Sequence, residues 1–266
     1  MPFTTNKSVR IHWEERGAGT PILLVMGHRY SGGMWYPIID ELAAKHRVIW
    51  FDNRGTGQTD TVKGFEVSDM TDDAIAVMDA AGVERAHVFG VSMGGGIVLD
   101  LAVRYPQRLL SLVVGCSVLF SAEKPRMPAF MRALYYLPPA VLRALTPKRR
   151  GADAYGTNAP PEAVAHDLAV LDKDPFTVPG VVAQAAAIAR HVQTKENVAA
   201  IKVPTLVIHG DEDTAVPFAY GQEVAATIPG ARFVHLKGIG HNFLVGAKDE
   251  SLKELNAFFD AVDAKA

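Results

Sequence analysis

Short, continuous apolar runs recur along the chain and alternate with segments of helical periodicity. An apolar run of strand length is typical of a strand covered on both faces, as in a parallel sheet between layers of helices. The predicted strands of this kind are Ile22–Met26, Val48–Phe51, His87–Phe89, Leu112–Val114, Thr205–Ile208 and Arg232–Leu236. The predicted helices are Trp35–Lys45, Val67–Ala81, Gly94–Tyr105, Phe218–Thr227 and Glu250–Val262. Together with a half-exposed hairpin strand at Val9–Glu15, the pattern predicts an α/β fold with a mostly parallel, twisted sheet flanked by helices.

The alternation stops between about residues 118 and 200, where prolines are frequent and no strand pattern remains. Short helical patterns persist at Phe130–Tyr136, Glu162–Leu171 and Val181–His191. The apolar content of this stretch is too high for a disordered linker. The sequence therefore predicts a helical insertion over residues 118–200, which divides an α/β core made of residues 1–117 and 201–266.

Composition narrows the classes of partner and location. The 266 residues are 48% apolar, and 27 basic against 29 acidic residues give a formal net charge of −2. This balance argues against nucleic acid or an anionic membrane surface as a partner. The N-terminus lacks the apolar region of a signal peptide, and no apolar run approaches the roughly 20 residues that span a bilayer. Because Cys116 is the single cysteine, an internal disulfide is impossible, and we expect a reducing, cytoplasmic location.

The candidate nucleophile is Ser92, in the sequence Gly90-Val91-Ser92-Met93-Gly94. This segment directly follows a predicted buried strand and directly precedes a predicted helix, which is the context that gives G-x-S-x-G its meaning. A serine on so sharp a turn projects its oxygen above the sheet, and the close approach of backbone to backbone requires glycine on both sides. A dinucleotide-binding loop is excluded because Ser92 stands where the second glycine of G-x-G-x-x-G is needed.

A serine hydroxyl needs a neighbouring base to take its proton, and His241 is the best placed of the nine histidines. It lies in a glycine-flanked loop after the last predicted strand, at the edge where an open parallel sheet builds its site. The acid that orients this histidine is expected in the loop after the strand ending at His209. Asp213 is the favoured residue and Asp211 the second, since the first acid after a strand often closes the turn.

Two backbone N–H groups are expected to stabilise the oxyanion of a tetrahedral intermediate. One belongs to Met93, at the start of the helix that follows Ser92. The other belongs to His28, in the loop that Gly27 opens after the first buried strand. The side chains of His28 and Arg29 either reach the substrate or pack against the insertion, and the sequence leaves both open.

These motifs, in this order, make the chain similar to the α/β-hydrolase superfamily over nearly its whole length. The resemblance rests on the loop at Gly27, the stretch Asp52–Thr59, the turn Gly90–Gly94 and the pair Asp213 and His241. It points to small esterases, lactonases and cofactor-free haloperoxidase-like members with a serine nucleophile, and it implies a helical cap inserted after the sixth core strand. Epoxide hydrolases and haloalkane dehalogenases carry an aspartate at the nucleophile position, so the serine of this chain disfavours both.

The residues and the resemblance together predict a serine hydrolase that cleaves a carboxylic ester or lactone through an acyl-enzyme, with no metal or organic cofactor. The apolar, aromatic insertion predicts a hydrophobic, uncharged substrate of small to medium size, held between cap and sheet. Candidate substrate contacts are Arg29, Tyr30, Phe120, Met131 and Tyr135. Three alternatives use the same pocket: a carbon–carbon bond hydrolase, a thioesterase, and a small-molecule receptor derived from a hydrolase.

Overall fold

A computed structural model of the chain describes residues 2–119 and 154–265. The strands are β1 Phe3–Asn6, β2 Val9–Arg16, β3 Pro21–Val25, β4 Arg47–Phe51, β5 Ala86–Val91, β6 Leu109–Gly115, β7 Thr205–Gly210 and β8 Arg232–Leu236. They form one sheet in the order β1-β2-β4-β3-β5-β6-β7-β8. Strand β2 pairs antiparallel with β1 and β4, and every other neighbouring pair is parallel. The predicted α/β architecture with a mostly parallel sheet is confirmed.

The helices flank this sheet. Within the described residues they are α1 Ile39–Ala43, α2 Val67–Ala80, α3 Met93–Arg104, α4 Pro161–Leu171, α5 Val178–Arg190, α6 Lys195–Ala199, α7 Phe218–Thr227, α8 Phe243–Gly246 and α9 Lys248–Asp263. The single helix predicted over Trp35–Lys45 is wrong in extent, because a 3-10 turn at Gly32–Trp35 is separated from the short α1. Pro37 lies between them, and proline has no backbone N–H to continue a helix.

Successive residues of a buried strand face opposite layers of helices. In β3, Leu23 and Val25 belong to one hydrophobic core, and Ile22 and Leu24 belong to the other. Residues of α2, α3 and α7 complete the first core, and residues of α1 and α9 complete the second. Both faces of the strand are therefore dry, which explains why its sequence is apolar throughout and does not alternate.

The described chain between β6 and β7 is helical and packs over the loops that follow the parallel strands. The Val181 carbonyl oxygen of α5 lies 2.9 Å from His28 Nε2, and Asp167 of α4 accepts the Tyr36 hydroxyl at 2.7 Å. These bonds join segments more than 130 residues apart in the chain. The helices thus close the space above the carboxyl ends of the strands, where parallel sheets build their sites.

The extent of this insertion, residues 118–200, stays a prediction. Its predicted helices Glu162–Leu171 and Val181–His191 are present as α4 and α5, whereas the predicted helix Phe130–Tyr136 lies outside the described residues. Across the part of the chain that the structure describes, none of the helices has the length and apolar character needed to cross a membrane.

Candidate active site

Ser92 lies on a strained turn between β5 and α3. Its φ of 55° and ψ of −120° fall outside the regions that a non-glycine residue ordinarily adopts. A Cβ atom at Gly90 would lie 2.2 Å from the Gly94 carbonyl oxygen, and one at Gly94 would lie 2.0 Å from the Val25 carbonyl oxygen. Both positions therefore require glycine, and the closely packed backbone holds Ser92 at the edge of a pocket.

The loops after β7 and β8 bring Asp213 and His241 together. His241 Nδ1 donates to Asp213 Oδ2 over 2.7 Å, and His241 lines the same pocket as Ser92. The carboxylate is itself oriented, because its Oδ1 accepts the backbone N–H groups of Ala215 and Val216, both at 2.8 Å. With Nδ1 protonated in this way, Nε2 of the neutral imidazole is the nitrogen that can accept a proton.

Asp213 stays ionised although it is buried. Burial raises its pKa, but hydrogen bonds from His209 and His241 outweigh that effect and lower the pKa to about 2. His209 is wholly buried, and its Nε2 lies 3.1 Å from Asp213 Oδ2 and 3.0 Å from the Val216 carbonyl oxygen. Because both neighbours are acceptors, His209 donates and supports the carboxylate on the side away from the pocket.

Asp211, the second acid candidate, belongs to another network. One of its oxygens accepts from His235 Nε2 at 2.8 Å, and the other accepts from the Gly238 backbone N–H at 2.6 Å. The hydrogen bond from His235 lowers the pKa of this carboxyl group. The geometry therefore favours Asp213 as the partner of His241, while Asp211 ties the turn after β7 to the end of β8.

Cys116 directly follows β6 and lies beside His241. Its sulfur, a ring nitrogen of His241 and an oxygen of Asp213 lie within 4.8 Å of one another. Cys116 is buried, and its positive φ of 39° means that its backbone is strained. Burial lowers the pKa of His241, but the neighbouring sulfur and the Asp213 carboxylate more than offset it and hold the pKa well above its ordinary value. No motif marks Cys116; its place at the end of a parallel strand is the signal that could have found it.

Cys116, Asp213 and His241 are also the one grouping among the described residues with the spacing of metal ligands. Asp213 Oδ2, however, already accepts hydrogen bonds from His209 and His241, and its Oδ1 accepts two backbone N–H groups. That leaves one sulfur and one imidazole nitrogen, fewer than the three protein ligands of a catalytic zinc site. The donor set suits proton transfer better than metal binding.

The loop predicted to carry the oxyanion donor packs directly against Ser92. A Cβ atom at Gly27 would lie 3.1 Å from Ser92 Cβ, so the backbone that leads into His28 packs against Ser92. Asn53 Nδ2 holds this loop by donating to the backbone carbonyl that precedes Gly27, over 2.8 Å. Met93 occupies the first turn of α3, where N–H groups have no acceptor within the helix. The loop that leads to His28 thus packs against Ser92, and Met93 directly follows Ser92 in the chain.

The predicted substrate contacts have different positions. Tyr30 lines the pocket, whereas Arg29 is not among its described lining residues. The Arg29 guanidinium stacks on the rings of Tyr30 and Phe176, 5.3 and 4.9 Å from their centroids. His28 reaches the pocket, but its Nε2 bonds the Val181 carbonyl, so this side chain packs against α5. The remaining predicted contacts, Phe120, Met131 and Tyr135, lie outside the described residues.

The pocket is a cavity of about 250 Å³ with a mostly apolar wall. Its described apolar lining includes Met26, Met34, Val91, Leu171, Phe243 and Leu244. Besides Ser92, His241 and Cys116, its polar lining includes the buried Asp167 of α4. Sequence reasoning missed Asp167, because a single acid within a helical pattern is ordinarily solvated and carries no motif.

Comparison with known proteins identifies a family and several relatives of this chain. The chain matches the alpha/beta hydrolase fold family over residues 20–247. A candidate carbamate hydrolase, RutD, from Azorhizobium caulinodans is 31% identical over 99% of this chain and 100% of its own length. The 3-oxoadipate enol-lactonase 1 of Acinetobacter baylyi is 28% identical over 71% of this chain and 70% of its own length.

A solved structure has the same fold as this chain. The enol-lactonase from Burkholderia xenovorans LB400 superposes with a TM-score of 0.84 at 24% identity, covering 97% of this chain and 100% of that one. The family match covers the sheet from β3 to β8 and the turn that carries Ser92. The chain belongs to the α/β-hydrolase superfamily.

Proposed function

We propose that the protein hydrolyses a carboxylic ester or lactone, with Ser92 as the nucleophile, His241 as the general base and Asp213 as the residue that orients the base. The observation that carries this proposal is the 2.7 Å hydrogen bond between Asp213 and His241, beside a pocket that also holds the strained Ser92. These are the three roles that serine hydrolysis requires, each filled by a side chain with the necessary chemistry.

In the first half of the reaction, Ser92 Oγ attacks the carbonyl carbon while its proton passes to His241 Nε2. The imidazolium that forms is stabilised by Asp213, which is ionised throughout because its pKa is about 2. Backbone N–H groups of His28 and Met93 donate to the negative oxygen of the tetrahedral intermediate. When this intermediate collapses, the alcohol leaves with the proton from His241, and the acyl group stays on Ser92.

In the second half, a water molecule gives its proton to His241 and attacks the acyl-Ser92 carbonyl. The same N–H groups hold the second oxyanion, and its collapse returns the proton to Ser92 and releases the acid. The mostly apolar wall of the cavity lowers the local dielectric constant and so strengthens each of these charge interactions. The names of the relatives, an enol-lactonase and a candidate carbamate hydrolase, support hydrolysis at an oxygen-bound carbonyl as the bond class.

The test combines labelling with turnover. A fluorophosphonate should modify the unaltered protein at one serine, identified as Ser92 by peptide mapping, and Ser92→Ala should abolish the label. Turnover of p-nitrophenyl heptanoate should fall by roughly ten-thousandfold or more in Ser92→Ala, because the nucleophile itself is lost. Ser8→Ala, in the exposed turn between β1 and β2, is the control and should keep both label and turnover. Multiple turnover that survives in Ser92→Ala contradicts the proposal.

A further inference from the structure

Asp167 brings a carboxylate to the helical side of the pocket. It lies on α4, lines the cavity, and is only 2% exposed. Its Oδ1 accepts the Tyr36 hydroxyl at 2.7 Å, and its Oδ2 accepts the Tyr155 hydroxyl. The two tyrosines hold the carboxyl group in one orientation from two different parts of the chain.

Both tyrosines are neutral donors. Burial, reinforced by the hydrogen bond to Asp167, raises the pKa of Tyr36 and of Tyr155 above the ordinary value. Their protons therefore stay on the phenol oxygens, and Asp167 is the acceptor in both bonds. A carboxylate offers about four lone-pair positions, of which these bonds use two. Because Asp167 lines the pocket, its remaining acceptor capacity is available to a bound molecule.

Among the described residues, the charge of Asp167 is only partly compensated. Within residues 2–119 and 154–265, its hydrogen-bond partners are the two phenols, and no lysine, arginine or histidine forms an ion pair with it. Neutral donors offset part of the cost of burying a carboxylate, but an opposite charge offsets more of it. A ligand that carries a protonated amine would supply this charge, whereas a carboxylate on the ligand would be repelled.

We infer that Asp167 determines specificity by selecting substrates that carry a protonated amine at the end away from the scissile carbonyl. The inference rests on the proposed ester or lactone hydrolysis and names its substrate class. Apolar side chains such as Met34, Leu171 and Leu244 line the same cavity and suit the methylene chain between the two ends. The apolar composition of the insertion predicts an uncharged substrate, whereas the carboxylate of α4 favours one with an ammonium group.

Three p-nitrophenyl esters of matched length test this inference: those of ε-aminocaproic acid, heptanoic acid and adipic acid, the last as its monoester. They place an ammonium, a methyl and a carboxylate group at the same end. We expect kcat/KM to decrease in that order, with the ammonium ester preferred over the methyl ester by about tenfold, the scale of one charged hydrogen bond. In Asp167→Asn this preference should disappear.

Asp172→Asn is the matched control, since it removes the same charge from an exposed position at the end of the same helix. It should keep the order of the three esters. That order in the unaltered protein tests the inference even if Asp167→Asn fails to fold. An ammonium ester that is hydrolysed no better than the methyl ester overturns the inference and leaves the Ser92 chemistry intact.

Calorimetric binding of n-hexylammonium and of n-hexanol separates this inference from the proposed function, because it needs no turnover. The unaltered protein should bind the ammonium at least about tenfold more tightly than the alcohol, and Asp167→Asn should lose the difference. Such binding without hydrolysis of any ester would support the role of Asp167 and contradict the proposed reaction. Equal binding of the two compounds would contradict the role of Asp167.

Discussion

Asp213 and Asp167 are both buried carboxylates of the candidate active site, but their hydrogen-bond partners differ. Asp213 accepts from two histidine rings and two backbone N–H groups. Asp167 accepts from two phenols. The four donors of Asp213 occupy both of its oxygens, and although burial raises the pKa of Asp213, the hydrogen bonds from the two histidines lower it to about 2. Asp213 is thus committed to protein groups, whereas Asp167 keeps acceptor capacity for a ligand.

The two carboxylates also mark two ends of the site. The sheet end, with Ser92, Asp213, His241 and Cys116, is built from loops that directly follow parallel strands. The helical end, with Asp167, joins α4 to segments elsewhere in the chain. We expect changes at the sheet end to alter the turnover of all substrates equally, and changes at the helical end to alter which substrate is preferred.

The largest expected effect is at the sheet end. Asp213→Asn should lower kcat for the heptanoate, ε-aminocaproate and adipate esters alike, by roughly ten-thousandfold, because an amide neither fixes the imidazole tautomer nor stabilises the imidazolium. Steady-state turnover of the three esters checks this, with Asp211→Asn as the control of equal chemistry in the same loop. A loss of less than about tenfold, or one confined to a single ester, would contradict the assignment of Asp213.

The difference between the sheet end and the helical end also determines how much could be predicted from the sequence. The apolar runs identify the buried strands because both faces of the sheet are covered, and the glycines around Ser92 identify the turn because a Cβ there has no room. Asp213 and His241 follow from their positions after strands. Each of these signals lies within a few residues of the feature it predicts.

The remaining features depend on contacts between distant segments. The bond between Tyr36 and Asp167 spans 131 residues, and no local pattern encodes it. The neighbour relation between Cys116 and His241 arises because β6, β7 and β8 lie side by side. The prediction of a single helix from Trp35 was wrong for a local reason. It gave the apolar periodicity more weight than Pro37, which interrupts the helix.

A smaller effect is expected at His209, which supports Asp213 from behind. His209→Leu removes one donor to the carboxylate and should lower kcat by about tenfold for all three esters, whereas His209→Gln keeps an N–H donor and should lose less. Turnover of the paired variants is the measurement. Equal losses in the two variants would show that ring packing against Phe218, and not the hydrogen bond, is what matters at this position.

The variant His209→Leu should also change how the free energy of unfolding depends on pH. Asp213 has a lower pKa folded than its ordinary value of 3.8, so its contribution to stability is complete above that value and is lost as pH falls toward about 2. His209→Leu raises the pKa of Asp213 and reduces this contribution. The difference in unfolding free energy between the unaltered protein and His209→Leu should therefore be largest above pH 3.8 and should narrow below it, as urea unfolding at several pH values would show.

The smallest effect is expected at Cys116, and it concerns pH and not selectivity. His241 must be neutral to take the proton of Ser92, so kcat/KM falls as pH falls through the pKa of His241. Cys116→Ala removes a neighbour that raises this pKa, and the acid limb of the profile should therefore move to lower pH. Cys116→Ser keeps a polar neighbour and should move it less. Because Cys116 belongs to the sheet end, the ratio of the three esters should stay unchanged, and a changed ratio would contradict the separation of the two ends.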